Sequence, residues 1–225
     1  MPEIDLEQQL REYQAHFALT APSGRPALYQ AKIDELRSEF AFQSALKVGD
    51  RVPDFTLSNA RGSAVSVASA LARGSAIVTF YRGGWCPYCN LQLRAYQAFL
   101  PQFEALGASL MAISPQMPDG SISTAERNAL AFEVLSDPGN EVARQFGLVY
   151  TLPQELRDAL KSNGKALPPI NGDDSWELPV PATYVVAQSG EIALAFVDVD
   201  YRRRLAPERI LDVLHILANK QAPEP

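Results

Sequence analysis

The feature that most constrains this chain is the run Ala76-Ile77-Val78-Thr79-Phe80-Tyr81 leading through Arg82-Gly83-Gly84-Trp85 into Cys86-Pro87-Tyr88-Cys89. An apolar run of that length reads as a buried strand, and Pro87 to Leu106 alternates apolar and polar residues at helical spacing. The only two cysteines of the sequence therefore fall on a turn where a strand feeds a helix. Proline suits a first helical position, where a missing N–H costs nothing, so Pro87 places Cys86 near the N-cap and Cys89 in the first turn. The positive end of a helix favours a thiolate, which in such motifs forms well below the free-cysteine pKa of about 8.5. Cys86 is the candidate nucleophile on an exposed rim of the molecule, with Cys89 one turn away and able to close a disulfide.

The rest of the chain supplies an α/β scaffold. Leu6, Leu10, Tyr13 and Phe17 recur at helical spacing between residues 4 and 19, and Ile33, Leu36, Phe40 and Leu46 between 29 and 46, with a break at Thr20 to Pro26. Residues 1–47 are thus expected to form a helical extension whose apolar stripes cover either this domain or a second copy in a homodimer. Residues 48–220 carry the alternation of strands and helices: a strand near Val48–Leu57, another over Ala108–Ser114 parallel to the first buried one, and a helix over Thr124–Ala131. A short helix follows over Asn140–Phe146, then another over Leu152–Lys161. Ser162 to Glu177 reads as irregular, Tyr184–Ala187 and Ile192–Val199 as a hairpin, and Arg203–Leu217 as a closing helix. Residues 221–225 are expected to fray. Strands interleaved with helices define a layered α/β fold with a central mixed sheet.

Composition narrows the function. With 26 acidic against 20 basic residues the net charge is −6, which offers no broad basic field for nucleic acid. No run approaches the roughly 20 apolar residues of a membrane span, and the start lacks a signal-peptide pattern. A cytoplasmic, reducing compartment is expected, where a close cysteine pair is more often reactive or metal-binding than a structural staple. Two cysteines alone make an incomplete zinc site, and His16 and His215 are remote in sequence, so no metal or other cofactor is expected. Arg82-Gly83-Gly84 is too short to cradle a phosphate, and no histidine is tied to Cys86 as a hydrolase would need.

The stretch from Val48 to Leu217 resembles the peroxiredoxin-like branch of the thioredoxin superfamily, the alkyl hydroperoxide reductase/thiol-specific antioxidant family. Val48-Gly49-Asp50-Arg51-Val52-Pro53-Asp54-Phe55-Thr56-Leu57 is similar to the family's entry segment, and Thr79 to Cys89 to its redox centre. The resemblance implies a thioredoxin-like fold and a thiol-dependent peroxidase. Cys86 would attack hydrogen peroxide or an organic hydroperoxide, Cys89 would condense with the sulfenic acid, and a thioredoxin-like or glutaredoxin-like dithiol would recycle the pair. It further implies a charge-stabilising role for Arg82 and substrate contacts from Thr79, Gly84 and Trp85. Val180 and Pro181 would contact substrate as well, with Pro181 cis and facing Cys86. The family's threonine or serine three residues before the nucleophile is Gly83 here, and Gly83→Thr is expected to improve peroxide handling if the backbone tolerates it. Gly83 and the tryptophan-led Trp85-Cys86-Pro87-Tyr88-Cys89 also resemble general thiol–disulfide oxidoreductases, which stand as the alternative, beside a non-catalytic interaction module. The late arginines, Arg144 and Arg202 to Arg204, carry no assigned role.

Overall fold

The computed structural model describes residues 5–221. Residues 1–4 of the expected extension and 222–225 of the expected frayed tail lie outside the described residues.

Two helices open the chain. The Asp5 carboxylate accepts from the Gln8 N–H at 2.8 Å and starts α1 (Leu6–Thr20), while Gly24 in the left-handed region and Pro26 in the first turn start α2 (Arg25–Glu39). The stripe of α1 is covered by its own chain: Leu6 and Leu10 are buried in the core that surrounds α4 (Pro87–Ala105). Helix α2 ends at Glu39, earlier than the apolar spacing suggested, and Phe42–Ser44 follow as a 3-10 turn.

The hairpin β1 (Thr56–Asn59) and β2 (Ala64–Ser66) leads through α3 (Val67–Leu71) to β3 (Ala76–Phe80). After α4 the chain runs β4 (Ser109–Ser114), α5 (Pro118–Arg127), β5 (Glu133–Ser136), α6 (Glu141–Gln145), β6 (Val149–Thr151), α7 (Gln154–Ser162) and α8 (Leu167–Asn171). It closes with β7 (Glu177–Pro179), β8 (Ala182–Val186), β9 (Ile192–Val197) and α9 (Pro207–Gln221). Seven strands form one sheet in the order β2-β1-β5-β4-β3-β8-β9. β3, β4 and β5 are parallel and the remaining pairs antiparallel, which makes the sheet mixed.

β3 lies near the middle and is buried on both faces, as its unbroken apolar run requires. Its side chains alternate: Ile77 and the following Tyr81 join Leu93, Tyr96, Phe103 and Ile210 on the α4 and α9 side. Ala76, Val78 and Phe80 join Phe146, Leu148 and Tyr184 on the other. The strand thus delivers its C-terminal end, and Arg82 to Cys86 after it, to the sheet edge where α4 begins.

The chain departs from its sequence pattern in three further places. Helix α5 begins at Pro118 rather than Thr124, because Pro118 fills the first helical position and Ser121 and Thr124 turn inward. Helix α9 begins at Pro207, so Arg203–Ala206 remain outside it, the Arg203 N–H donating to the Asp200 carbonyl at 2.9 Å. The segment expected to be irregular contains α8 and leads into β7, which pairs antiparallel with β6 through Tyr150↔Leu178. Leu152, Leu160, Leu167, Trp176 and Leu178 bury one another beside this second sheet, a contact between residues too far apart for local spacing to reveal.

The expected cis bond before Pro181 is corrected: no peptide bond among the described residues is cis. The Val180 N–H donates to the Leu148 carbonyl at 2.8 Å and Ala182 enters β8 directly, so an extended trans chain satisfies both neighbours.

Candidate active site

Cys86 occupies the N-cap of α4 with Pro87 in the first turn, and its carbonyl accepts from the Asn90 N–H at 3.1 Å. Cys89 sits one turn on. Both are free thiols, and both are buried, at 1% and 0% exposure, which corrects the exposed rim expected from the sequence. The cover comes from Tyr13 of α1 against Tyr88, edge to face at 5.0 Å, and from Tyr201 against Tyr88 at 5.6 Å.

Two guanidinium groups face the pair. Arg82 is buried between aromatic faces, 4.2 Å from the Tyr201 ring centre and 4.9 Å from that of Trp85, with the Tyr150 phenol beside it. Arg204 Nη2 lies 3.4 Å from Cys89 Sγ, and its Nη1 donates to the Tyr201 and Arg203 carbonyls. Among the described residues neither guanidinium has a carboxylate partner. Two buried cations without carboxylates are costly unless another anion answers them. The thiol pair supplies it.

The charge rests on Cys89 rather than on Cys86, contrary to the expectation from the helix N-terminus. Burial pushes both thiols up. At Cys89 the hydrogen bond from Cys86, the Arg204 charge, the Arg82 backbone N–H and the Arg82 charge overcome burial and hold the thiol down at about 5. At Cys86, burial and the hydrogen bond to the Cys89 anion push the thiol well above its ordinary value, Arg82 and Arg204 opposing. One proton and one negative charge are therefore shared by two adjacent sulfurs at neutral pH.

The other expected site residues separate into those brought to the sulfurs and those spent elsewhere. Arg82 and Trp85 line the cavity beside Cys86. Buried Thr79 is tied into the core instead: its hydroxyl contacts Thr183 Oγ1 at 2.9 Å and receives Gln92 Nε2 at 3.2 Å. Gly84 spends its amide on Gln116 Oε1 at 2.6 Å and its carbonyl on Asn90 Nδ2 at 2.8 Å. Val180 and the trans Pro181 do not line the cavity. Arg204, Tyr201 and Tyr150 are the site residues that sequence reading left without a role; the triplet Arg202-Arg203-Arg204 was the available signal, but nothing local singles out its third member. Neighbouring turns do so: Asp200 grips Arg202 through Nε and Nη2 at 2.7 Å each, which fixes the bend that turns Arg204 inward.

Gly83 closes the route to a hydroxyl at that position. Its φ is +140°, and a Cβ there would stand 2.4 Å from Trp85 Nε1 and 2.8 Å from Gln116 Oε1. Gly83→Thr, expected from the sequence to help, is instead expected to displace Trp85 and to cost about 1–3 kcal/mol in backbone strain alone. Chemical denaturation of the reduced protein checks this; an unchanged midpoint would contradict it.

Fold and site together define a thioredoxin-fold dithiol protein. Residues 48–195 match the AhpC/TSA family, and the chain belongs to that family. A chloroplastic peroxiredoxin Q of Gentiana triflora is 30% identical over 167 residues, covering 72% of this chain and 73% of the relative. A Mycobacterium tuberculosis relative with a peroxiredoxin name is 35% identical over 102 residues, 45% of this chain; the match spans 64% of that relative's length. Among solved structures, peroxidoxin BcpB of M. tuberculosis superimposes with a TM-score of 0.61 at 20% identity, covering 76% of this chain and 98% of the other. Peroxiredoxin Q of Xanthomonas campestris does so with a TM-score of 0.57 at 17% identity, covering 73% and 91%. These likenesses agree on the thioredoxin-like fold expected from the sequence. No helix among the described residues is long and apolar enough to cross a membrane.

Proposed function

We propose that this chain, with residues 1–47 as a helical extension of a thioredoxin-like unit over 48–220, is a thiol-dependent peroxidase acting through Cys86 and Cys89. The observation that carries the reading is the arrangement of the pair: Cys86 lines a cavity, Cys89 lies behind it as the anion, and two unpaired guanidiniums surround both. Cys89 thiolate takes the Cys86 proton. Cys86 thiolate then attacks the distal oxygen of the hydroperoxide; the S–O bond forms as the O–O bond breaks, and the alkoxide leaves with the proton held by Cys89. The regenerated Cys89 thiolate attacks the Cys86 sulfenic acid and expels hydroxide, leaving a disulfide. Arg82 and Trp85 belong to the cavity wall, so the guanidinium charge stands beside the place a peroxide takes at Cys86.

Recycling is assigned to an external thioredoxin-like or glutaredoxin-like dithiol in a reducing, cytoplasmic-type compartment. That step requires the cover over Cys86 to move, since a protein thiol cannot reach a sulfur that is 1% exposed. The rival reading, a general thiol–disulfide oxidoreductase, is favoured by Gly83, which offers no hydroxyl for peroxide. The test is anaerobic reduction followed by one equivalent of hydroperoxide: the expected product is an intramolecular Cys86–Cys89 disulfide seen by peptide mass. Rapid reduction of a protein disulfide by a chain inert to peroxide would overturn the assignment.

A further inference from the structure

The cavity beside Cys86 encloses about 190 Å³, and much of its wall comes from outside the family match. Phe17 of α1 and Tyr29, Ile33 and Leu36 of α2 face Leu152 and Leu156 across it, with Arg82, Trp85 and Cys86 at one end. The aromatic wall is itself built: Phe17 stacks on Tyr29 at 5.8 Å with an interplanar angle of 2°, and Tyr29 meets Tyr201, the ring that carries Arg82, at 6.4 Å. Lys32, one of the cations of the lining, is already paired with Glu155 at 2.7 Å and Glu35 at 2.9 Å. At the Cys86 end the wall carries the Arg82 guanidinium and the Trp85 indole. The lining is mainly apolar, with the Arg82 guanidinium at the Cys86 end and the exposed Glu35, Glu39 and Asn163 where the cavity meets solvent.

Such a lining does not suit hydrogen peroxide, which carries a hydroxyl at each end and would bury one of them against carbon. It suits a hydroperoxide whose –OOH meets Cys86 and whose organic group lies among Phe17, Tyr29, Leu36 and Leu156, where transfer from water is favourable in proportion to apolar area. Size selects further. A dry apolar cavity of about 150 Å³ holds a benzene molecule, so this one accommodates roughly one ring with a short branch. We propose that the N-terminal helical pair makes the chain selective for compact aryl-alkyl hydroperoxides, with Phe17 and Leu36 as specificity-determining residues. This rests on the peroxidase reading and adds the substrate class to it. Atoms balance as in that reaction: the O–O bond is cleaved, the organic alcohol is released, and the dithiol becomes a disulfide with no oxidant other than the hydroperoxide.

The experiment is single-turnover oxidation of the reduced full-length chain by cumene hydroperoxide, linoleic acid hydroperoxide and hydrogen peroxide, each rate divided by that of dithiothreitol with the same oxidant. The normalised rate with cumene hydroperoxide is expected to exceed that with hydrogen peroxide by about ten-fold or more, the scale on which an apolar pocket discriminates. Phe17→Gln and Leu36→Gln should each remove most of that advantage, slowing cumene hydroperoxide far more than hydrogen peroxide. In the unaltered protein 2-phenyl-2-propanol, the alcohol product, should compete with cumene hydroperoxide for the cavity, a readout independent of whether the variants fold. Equal normalised rates, a preference for the linoleic hydroperoxide, variants that slow both oxidants alike, or no competition by the alcohol would overturn the pocket assignment while leaving the peroxidase in place. Failure of all three oxidants to form the Cys86–Cys89 bond would instead remove the peroxidase reading, and the pocket assignment with it.

Discussion

Cys86→Ser is expected to abolish hydroperoxide consumption, and Cys89→Ser to stop the reaction after one oxidation with a sulfenic acid on residue 86. The asymmetry follows from placement: Cys86 lines the cavity and Cys89 is fully buried behind it. A hydroxyl at residue 86 is a far weaker nucleophile than a thiolate, whereas a hydroxyl at 89 still leaves Arg82 to favour the Cys86 anion but cannot close a disulfide. Trapping the product with dimedone and reading its mass separates the two variants. A sulfenic acid found on residue 89 of Cys86→Ser, at the parent's rate, would reverse the roles. Normal disulfide-dependent recycling in Cys89→Ser would show that the second sulfur is dispensable.

Much of this architecture is legible in the sequence because it is local. The unbroken run of β3, the proline after Cys86 and the 3.6-residue spacing of α4 each report on a few neighbouring residues, and the structure places all three as that reading required. Reading fails where the determinant is distant. The pairing of Tyr150 with Leu178 joins segments on either side of two helices, and Glu177-Leu178-Pro179 carries no strand propensity to mark the partner. Arg204 belongs to the site only because Pro207 delays α9 and Asp200 holds the preceding bend. The cover formed by α1 and α2 illustrates the same limit. Leu6, Leu10, Tyr13 and Phe17 announce an apolar face, but that Tyr13 and Phe17 close over Cys86, far along the chain, is a property of the packed molecule. Burial of the sulfurs, and hence the transfer of resting charge from Cys86 to Cys89, follows from that cover and from Arg204. The helix N-terminus alone points the other way.

Arg204→Met keeps much of the side-chain volume and removes the charge 3.4 Å from Cys89 Sγ. The thiol held at about 5 is then expected to move toward the free-cysteine value of about 8.5. Thiolate absorbance near 240 nm should show this directly. At pH 7 a thiol of pKa 8.5 is only about 3% ionised, so Cys89-dependent disulfide closure should slow, with about 30-fold as the limit if the whole shift were lost. Linkage gives a second signature. Between about pH 5 and 8.5 the native pair holds one proton and the unfolded pair two, so the stability of the reduced protein rises with pH in that window. Above it the unfolded pair has lost both protons while the raised Cys86 still keeps its own, and the slope reverses. Arg204→Met should flatten the rising limb, because the native and unfolded pairs then bind protons alike until higher pH. Urea denaturation of the reduced protein across this range measures both limbs. A variant that keeps the low thiolate transition and the rising limb would assign the stabilisation of the anion to Arg82 alone, and Arg204 would be left as a support for the turn.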